Sequence, residues 1–333
     1  MNMKLRNILL LLFFFLTSCT PNTFPPPISK HEVYDIQAGN KEIWSITDFY
    51  IGQDSFSTRM GAAQGRFCFL GNKTNVMESK VSCLDSTNGK LLWSAFSGNS
   101  STFTITDNGV FLGYSGIPGI AKYSLDGDFL WEQTLNGTGV VYIYEIDDQV
   151  QVLSVPEKLS IFDTSTGKLI NKIKGEKIFI TTPTEQFINL FGLTLLSPAT
   201  GKTVWETDLD DYLELAPIFS KKLIFVRTGQ VIGSVYAIDR ASGKILWKTD
   251  DNIISNIAYS PGEEVVYVLS DKGEVLRIDS AGAAITLLRF SKTPFFLNGD
   301  AQVGGYEVAY DEKTNSLFIT LGDSRQLFAF HVQ

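Results

Sequence analysis

The chain has 333 residues, 44% of them hydrophobic and 19% charged, enough for one large repeat domain or two ordinary ones with a buried core. Its 28 basic residues face 36 acidic ones, a formal net charge of −8, which excludes a nucleic-acid partner that needs a basic stripe to neutralise phosphates. The two histidines, His31 and His331, leave no material for a Ser-His-Asp or Cys-His nucleophilic site or for a His-rich transition-metal site.

Residues 1–18 read as a removable leader. Lys4 and Arg6 form a positive n-region, and residues 8–16 form an apolar run too short to span a bilayer as a mature helix. Leu16-Thr17-Ser18-Cys19 then has the order of a bacterial lipobox: an aliphatic residue, two small residues and the Cys that becomes the lipidated N-terminus. The alternative is an ordinary secretory peptide with a coincidental Cys. Thr20 follows; by resemblance to lipoproteins of double-membraned bacteria, the absence of Asp there implies the outer membrane. The expectation is an exported protein held by acyl chains, facing the periplasm. Residues 19–32, with Pro21 and Pro25-Pro26-Pro27, read as a semi-rigid tether. Without Lys4 and Arg6 the mature chain keeps 26 of its basic side chains against 36 acidic ones.

Residues 33–333 carry a repeat. Glu42 to Ile46 reads as a single strand bearing Trp44. Six sets of four strands follow, over residues 58–95, 102–133, 140–172, 179–206, 215–248 and 254–288. The third and fourth strands of each set are joined by a Gly-containing turn. Gly89, Gly127, Gly201 and Gly243 each precede a tryptophan by four residues: Trp93, Trp131, Trp205 and Trp247. Asn171 and Thr286 stand where two further tryptophans would fall. The anchors recur about every 40 residues, the length of one four-stranded propeller blade. The last three strands, 305–311, 316–321 and 326–331, lack only the outermost one, which the strand around Trp44 supplies. The expected fold is therefore an all-β, seven-bladed propeller whose last blade is built from both chain ends. An eighth blade would have to fit within residues 47–57, too short for four strands.

The best copy, Ala237, Asp239, Gly243, Lys244 and Trp247, resembles the tryptophan-docking repeat of pyrroloquinoline-quinone (PQQ)-type β-propellers. In that family the Trp stacks on the neighbouring blade, so the resemblance implies a structural role for Trp44, Trp93, Trp131, Trp205 and Trp247 and looser junctions at Asn171 and Thr286. Its quinoprotein enzymes hold PQQ beneath two adjacent cysteines, and no Cys-Cys pair occurs here. A short propeller behind a lipobox is similar instead to the BamB-type lipoprotein scaffolds of the outer-membrane β-barrel assembly machinery. That implies a non-catalytic protein-binding scaffold with no cofactor. The alternative is a reduced quinoprotein, or another small-ligand binder, using the central channel.

Four further features are candidates. Cys68 and Cys83 oppose each other in the repeat register; they read either as a disulfide or as two buried thiols packing as small apolar groups. Asp208, Asp210, Asp211 and Glu214, with Asp250 and Asp251, fall in equivalent connections of adjacent blades and read either as a site for a divalent cation or basic partner or as a solvated acidic rim, the absence of a calcium-loop pattern favouring the rim. Lys90, Lys168, Lys202 and Lys244 occupy equivalent turns and should ring the opposite face. Phe49-Tyr50-Ile51 and Pro294-Phe295-Phe296-Leu297 are apolar connections that read either as a plug sealing the closure or as a partner-binding patch.

Overall fold

The structure, a computed structural model, describes residues 36–39, 42–46, 59–72, 79–98, 100–114, 118–155, 158–174, 178–182, 184–189, 192–211, 213, 215–229, 232–290, 306–321 and 326–332. Two short strands come first, β1 (Ile36–Gly39) and β2 (Glu42–Ile46). Blade one is β3 (Met60–Ala63), β4 (Arg66–Asn72), β5 (Ser79–Asp85) and β6 (Leu91–Gly98). Blade two is β7 (Ser100–Thr106), β8 (Gly109–Tyr114), β9 (Gly119–Tyr123) and β10 (Phe129–Thr134). Blade three is β11 (Gly139–Ile146), β12 (Gln149–Val155), β13 (Lys158–Asp163) and β14 (Leu169–Lys174). Blade four is β15 (Ile178–Thr181), β16 (Gln186–Asn189), β17 (Gly192–Leu196) and β18 (Thr203–Asp208). Blade five is β19 (Ile218–Phe219), β20 (Leu223–Arg227), β21 (Val235–Asp239) and β22 (Ile245–Lys248). Blade six is β23 (Ala258–Ser260), β24 (Val265–Leu269), β25 (Glu274–Ile278) and β26 (Ala284–Phe290). The chain ends with β27 (Glu307–Asp311), β28 (Ser316–Leu321) and β29 (Gln326–His331).

These strands form seven antiparallel sheets, the seven blades of a propeller. The seventh has the order β2-β29-β28-β27, so the N-terminal strand closes the ring as its outermost member. The chain uses a second N-terminal strand as well. β1 pairs antiparallel with β26 and becomes a fifth, outer strand of blade six. The repeat gives no hint of it, because Ile36-Gln37-Ala38-Gly39 carries none of the recurring residues.

Burial runs in a gradient across each blade. Second and third strands are sandwiched between neighbouring blades and are apolar on both faces: β20 and β24 are buried along their whole length. Outermost strands face solvent, as in β22. The innermost strands of blades five and six are shorter than predicted, while β7 and β11 are longer. In blade six the residues before Ala258 lie outside the strand: Ile253 exchanges both backbone hydrogen bonds with Gly233 of blade five, while Ile254 N–H still donates to Leu269 O of β24.

The described core divides into seven clusters, one at each blade junction. The junction of blades six and seven, with Tyr267, Leu317 and Phe330, is the largest. The junction of blades three and four is the smallest, with only Leu153, Leu159, Ile161 and Ile188 buried among the described residues.

Candidate interaction surface

The turn between the third and fourth strands of a blade is where the next junction is locked. In Asp239-Arg240-Ala241-Ser242-Gly243, Asp239 Oδ1 accepts from Ser242 N–H and Oγ–H, and Gly243 N–H donates to Asp239 O at 2.8 Å. Those hydrogen bonds favour the ionised carboxyl and hold the Asp239 pKa below the usual carboxylate range. Gly243 has φ of 72°, and a Cβ there would lie 2.5 Å from the Trp205 ring of the preceding blade. Only glycine meets both demands. Trp205 Nε1–H then donates to Arg240 O at 3.1 Å. Ring on glycine and indole N–H on carbonyl together bury a large apolar surface with its one polar atom satisfied.

This joint repeats round the ring. Trp44 lies on Gly89 and donates to Ser86 O, Trp93 lies on Gly127 and donates to Leu125 O, and Trp131 lies on Gly167 and donates to Thr164 O. Trp247 lies on Gly282 and donates to Ser280 O. Two junctions lack it. After blade six the receiving turn does not exist, because blade seven is broken there between β29 and β2; Thr286 has nothing to dock on. After blade three the turn exists and Asn171 does not reach it: among the described residues nothing comes within 4 Å of a Cβ at Gly201.

The docking residue stands after a β-bulge. The register shifts one residue before Trp44, Trp93, Trp131, Asn171, Trp205 and Trp247, which leaves Ile43, Leu92, Leu130, Ile170, Val204 and Leu246 outside the ladder. All six are aliphatic and 38–57% exposed. Together with Leu91, Phe96, Phe129, Leu169 and Ile245 they give the outer rim a girdle of exposed apolar side chains. Sequence reading took these residues simply as strand; their constant place before the Trp was the available signal.

Antiparallel order puts the Gly-Lys turns on one face and the acidic connections on the other. Lys90, Lys168, Lys202 and Lys244 are exposed in their turns. On the acidic face Asp210 pairs with Lys248 and accepts from Tyr236 Oη–H at 3.0 Å, while Asp251 pairs with Lys272. Asp208 and Asp250 are exposed, and Glu214 lies outside the described residues. No group of three or more His, Cys, Asp or Glu among the described residues is arranged to hold a metal ion. Half-buried Arg240, stacked over Phe187, forks onto both oxygens of Glu185 and ties blade five to blade four.

Cys68 and Cys83 are directly opposed on β4 and β5, fully buried, and joined by a disulfide. Two buried polar residues, Glu307 and Lys122, and the half-buried Tyr144 went unnoticed in the sequence. Glu307, at the start of β27, accepts backbone N–H bonds from Arg59 and Met60 at 2.9 and 3.0 Å and so stitches blade seven to blade one; burial pushes its pKa up to about 7. Lys122 Nζ donates at 3.0 Å to Thr164 O, the same carbonyl that takes Trp131. Tyr144 of blade three donates past blade four to Pro217 O of blade five, within an aromatic cluster with Tyr142 and Phe219. Cys19, His31, Phe49, Tyr50, Phe295 and Phe296 lie outside the described residues.

The family described as outer membrane protein assembly factor BamB matches residues 29–187 and 172–288, most of the chain. The chain belongs to the BamB family. Among solved structures, BamB from Moraxella catarrhalis superposes with a TM-score of 0.52 at 13% identity, covering 88% of this chain and 100% of that one. A chain of the mitotic checkpoint complex superposes at 0.64 with 10% identity, covering 92% and 99%. At such identities both likenesses speak to the propeller fold. No curated protein matches the sequence. For this BamB-family chain, then, the Trp-Gly joints are what the repeat preserves, and the girdle, the turns and the connections are what it presents outward.

Proposed function

We propose that this BamB-family chain is a lipid-anchored scaffold of the bacterial cell envelope, attached through Cys19 to the outer membrane facing the periplasm, that binds another protein in outer-membrane protein assembly. The observation that carries the reading is the family match over residues 29–288, downstream of the lipobox-like sequence Leu16-Thr17-Ser18-Cys19. The physics asks for no chemistry. A ring locked at its junctions presents loops and strand edges in fixed places, and association draws on aromatic and aliphatic anchors. Phe49, Tyr50, Phe295 and Phe296 are offered as such anchors.

The test is crosslinking in intact cells followed by purification of the lipidated protein. Recovery of assembly-machinery components with the wild-type chain, and their loss when Cys19→Ala prevents anchoring, is the expected result. Repeated failure to recover any of them sinks the assembly role. Tight PQQ binding with dye-linked alcohol oxidation would overturn the non-catalytic part of the reading.

A further inference from the structure

We infer that the turn at Gly201, open among the described residues, is a docking socket which receives a tryptophan from another protein, on an extended segment laid against the rim between blades three and four. The inference rests on the scaffold reading and names the chemistry of the partner.

The socket is built like the filled ones. In Ser197-Pro198-Ala199-Thr200-Gly201 the glycine N–H donates to Ser197 O at 2.7 Å, as Gly89, Gly167 and Gly243 donate to Asp85, Asp163 and Asp239. Gly201 has φ of 66°, against 69°, 68° and 72° for those three. In those three turns the indole N–H goes to the carbonyl three residues before the glycine, Ser86, Thr164 and Arg240, whereas in the tighter turns at Gly127 and Gly282 it goes to the one two residues before. The equivalent acceptor here is Pro198 O. The delivering side is intact as well. Asn171 pairs with Ile161 just as Trp205 pairs with Leu195, one residue after the same bulge. Its side chain is too short to reach across, and its Oδ1 accepts instead from Lys172 N–H. The junction beneath is the one with the fewest buried residues in the described core.

The occupant has to come from elsewhere. The chain has five tryptophans, and all five lie on turn glycines of their own ring. The undescribed segments therefore hold none to spare, and a second copy of the chain is equally committed. An indole is favoured over other rings because the same molecule shows five times what this socket holds: a flat ring on a bare glycine and an N–H donor for one turn carbonyl.

The probe is a peptide copying residues 202–208 of this chain, which include Trp205, titrated into the isotope-labelled full-length protein. The expected result is saturable shifts of the Gly201 and Thr200 amides. They should vanish with the same peptide carrying Trp205→Ala, and in an Asn171→Trp protein whose socket is filled from within. That variant should itself melt several degrees higher. Equal shifts with both peptides, no shift at Gly201, or an Asn171→Trp protein with no gain in melting temperature would each overturn the socket. Crosslinking in cells separates this idea from the scaffold reading: a partner recovered equally by wild type and Asn171→Trp removes the socket and leaves the scaffold, whereas a partner recovered by neither, with the peptide binding as expected, removes the assembly role and leaves the socket.

Discussion

Glycines 243 and 201 look alike in sequence and differ in what they cost to replace. At Gly243 an added Cβ meets both a positive φ and the Trp205 ring, so Gly243→Ala should lose about 2–4 kcal/mol. At Gly201 the φ is similar and the space is open among the described residues, so Gly201→Ala should lose only about 1 kcal/mol. Urea unfolding of the two variants measures the difference. Glu307 makes a second prediction at this scale. Its folded pKa of about 7 lies above the ordinary 4.5, so between those values the folded chain holds a proton that the unfolded chain has released. Its contribution is full below pH 4.5 and is lost as pH rises to 7, by an amount on the order of 3 kcal/mol. Glu307→Gln keeps one acceptor oxygen for the Arg59 and Met60 amides and should flatten stability between pH 5 and 7. An unchanged slope would mean that another group titrates there.

The two N-terminal strands should differ sharply in consequence. Removing residues up to 39 takes away β1 and reopens one sheet edge, while Trp44 still docks on Gly89 and the ring stays closed; a small drop in melting temperature is expected. Replacing Trp44 by Ala removes the closing joint itself and should cost about 3 kcal/mol or more. Comparing thermal melts of the two proteins settles the order. What the sequence made legible at this scale is the hairpin of each blade's third and fourth strands, because a positive-φ glycine and a tryptophan are rare residue types with a fixed separation. β1 was illegible because a four-residue edge strand is specified by the partner it finds, not by its own side chains. Lys122 and Glu307 were hidden for a similar reason: a charged residue is placed in a core by acceptors or donors contributed from a neighbouring blade, here Thr164 O and the amides of Arg59 and Met60. The vacant socket lay in between: the missing tryptophan at 171 was visible, but the emptiness opposite it needed coordinates.

The ring as a whole is a circle of unequal joints. Five are locked by Trp on Gly, the joint of blades six and seven is packed by the largest cluster, and the joint between blades three and four has, among the described residues, neither Trp nor a large core. Local opening should begin there, since protection follows buried contacts. Hydrogen exchange should therefore be fastest in peptides from β14 and β15 and slowest at the junction of blades six and seven. Uniform protection round the ring would contradict the ranking. The ion pairs that bridge blades, such as Lys248 with Asp210, are exposed and add little to this order.

The position of β1 has a mechanical consequence. Chain order places it between anything attached upstream and β2, so a pull on the N-terminal end loads β1 first. It lies on β26 through a register of only Ile36 to Gly39, and it can peel away without disturbing the Trp44 joint. Such a pull would shed this one strand before it reached the Trp44 joint, and the ring behind would stay shut.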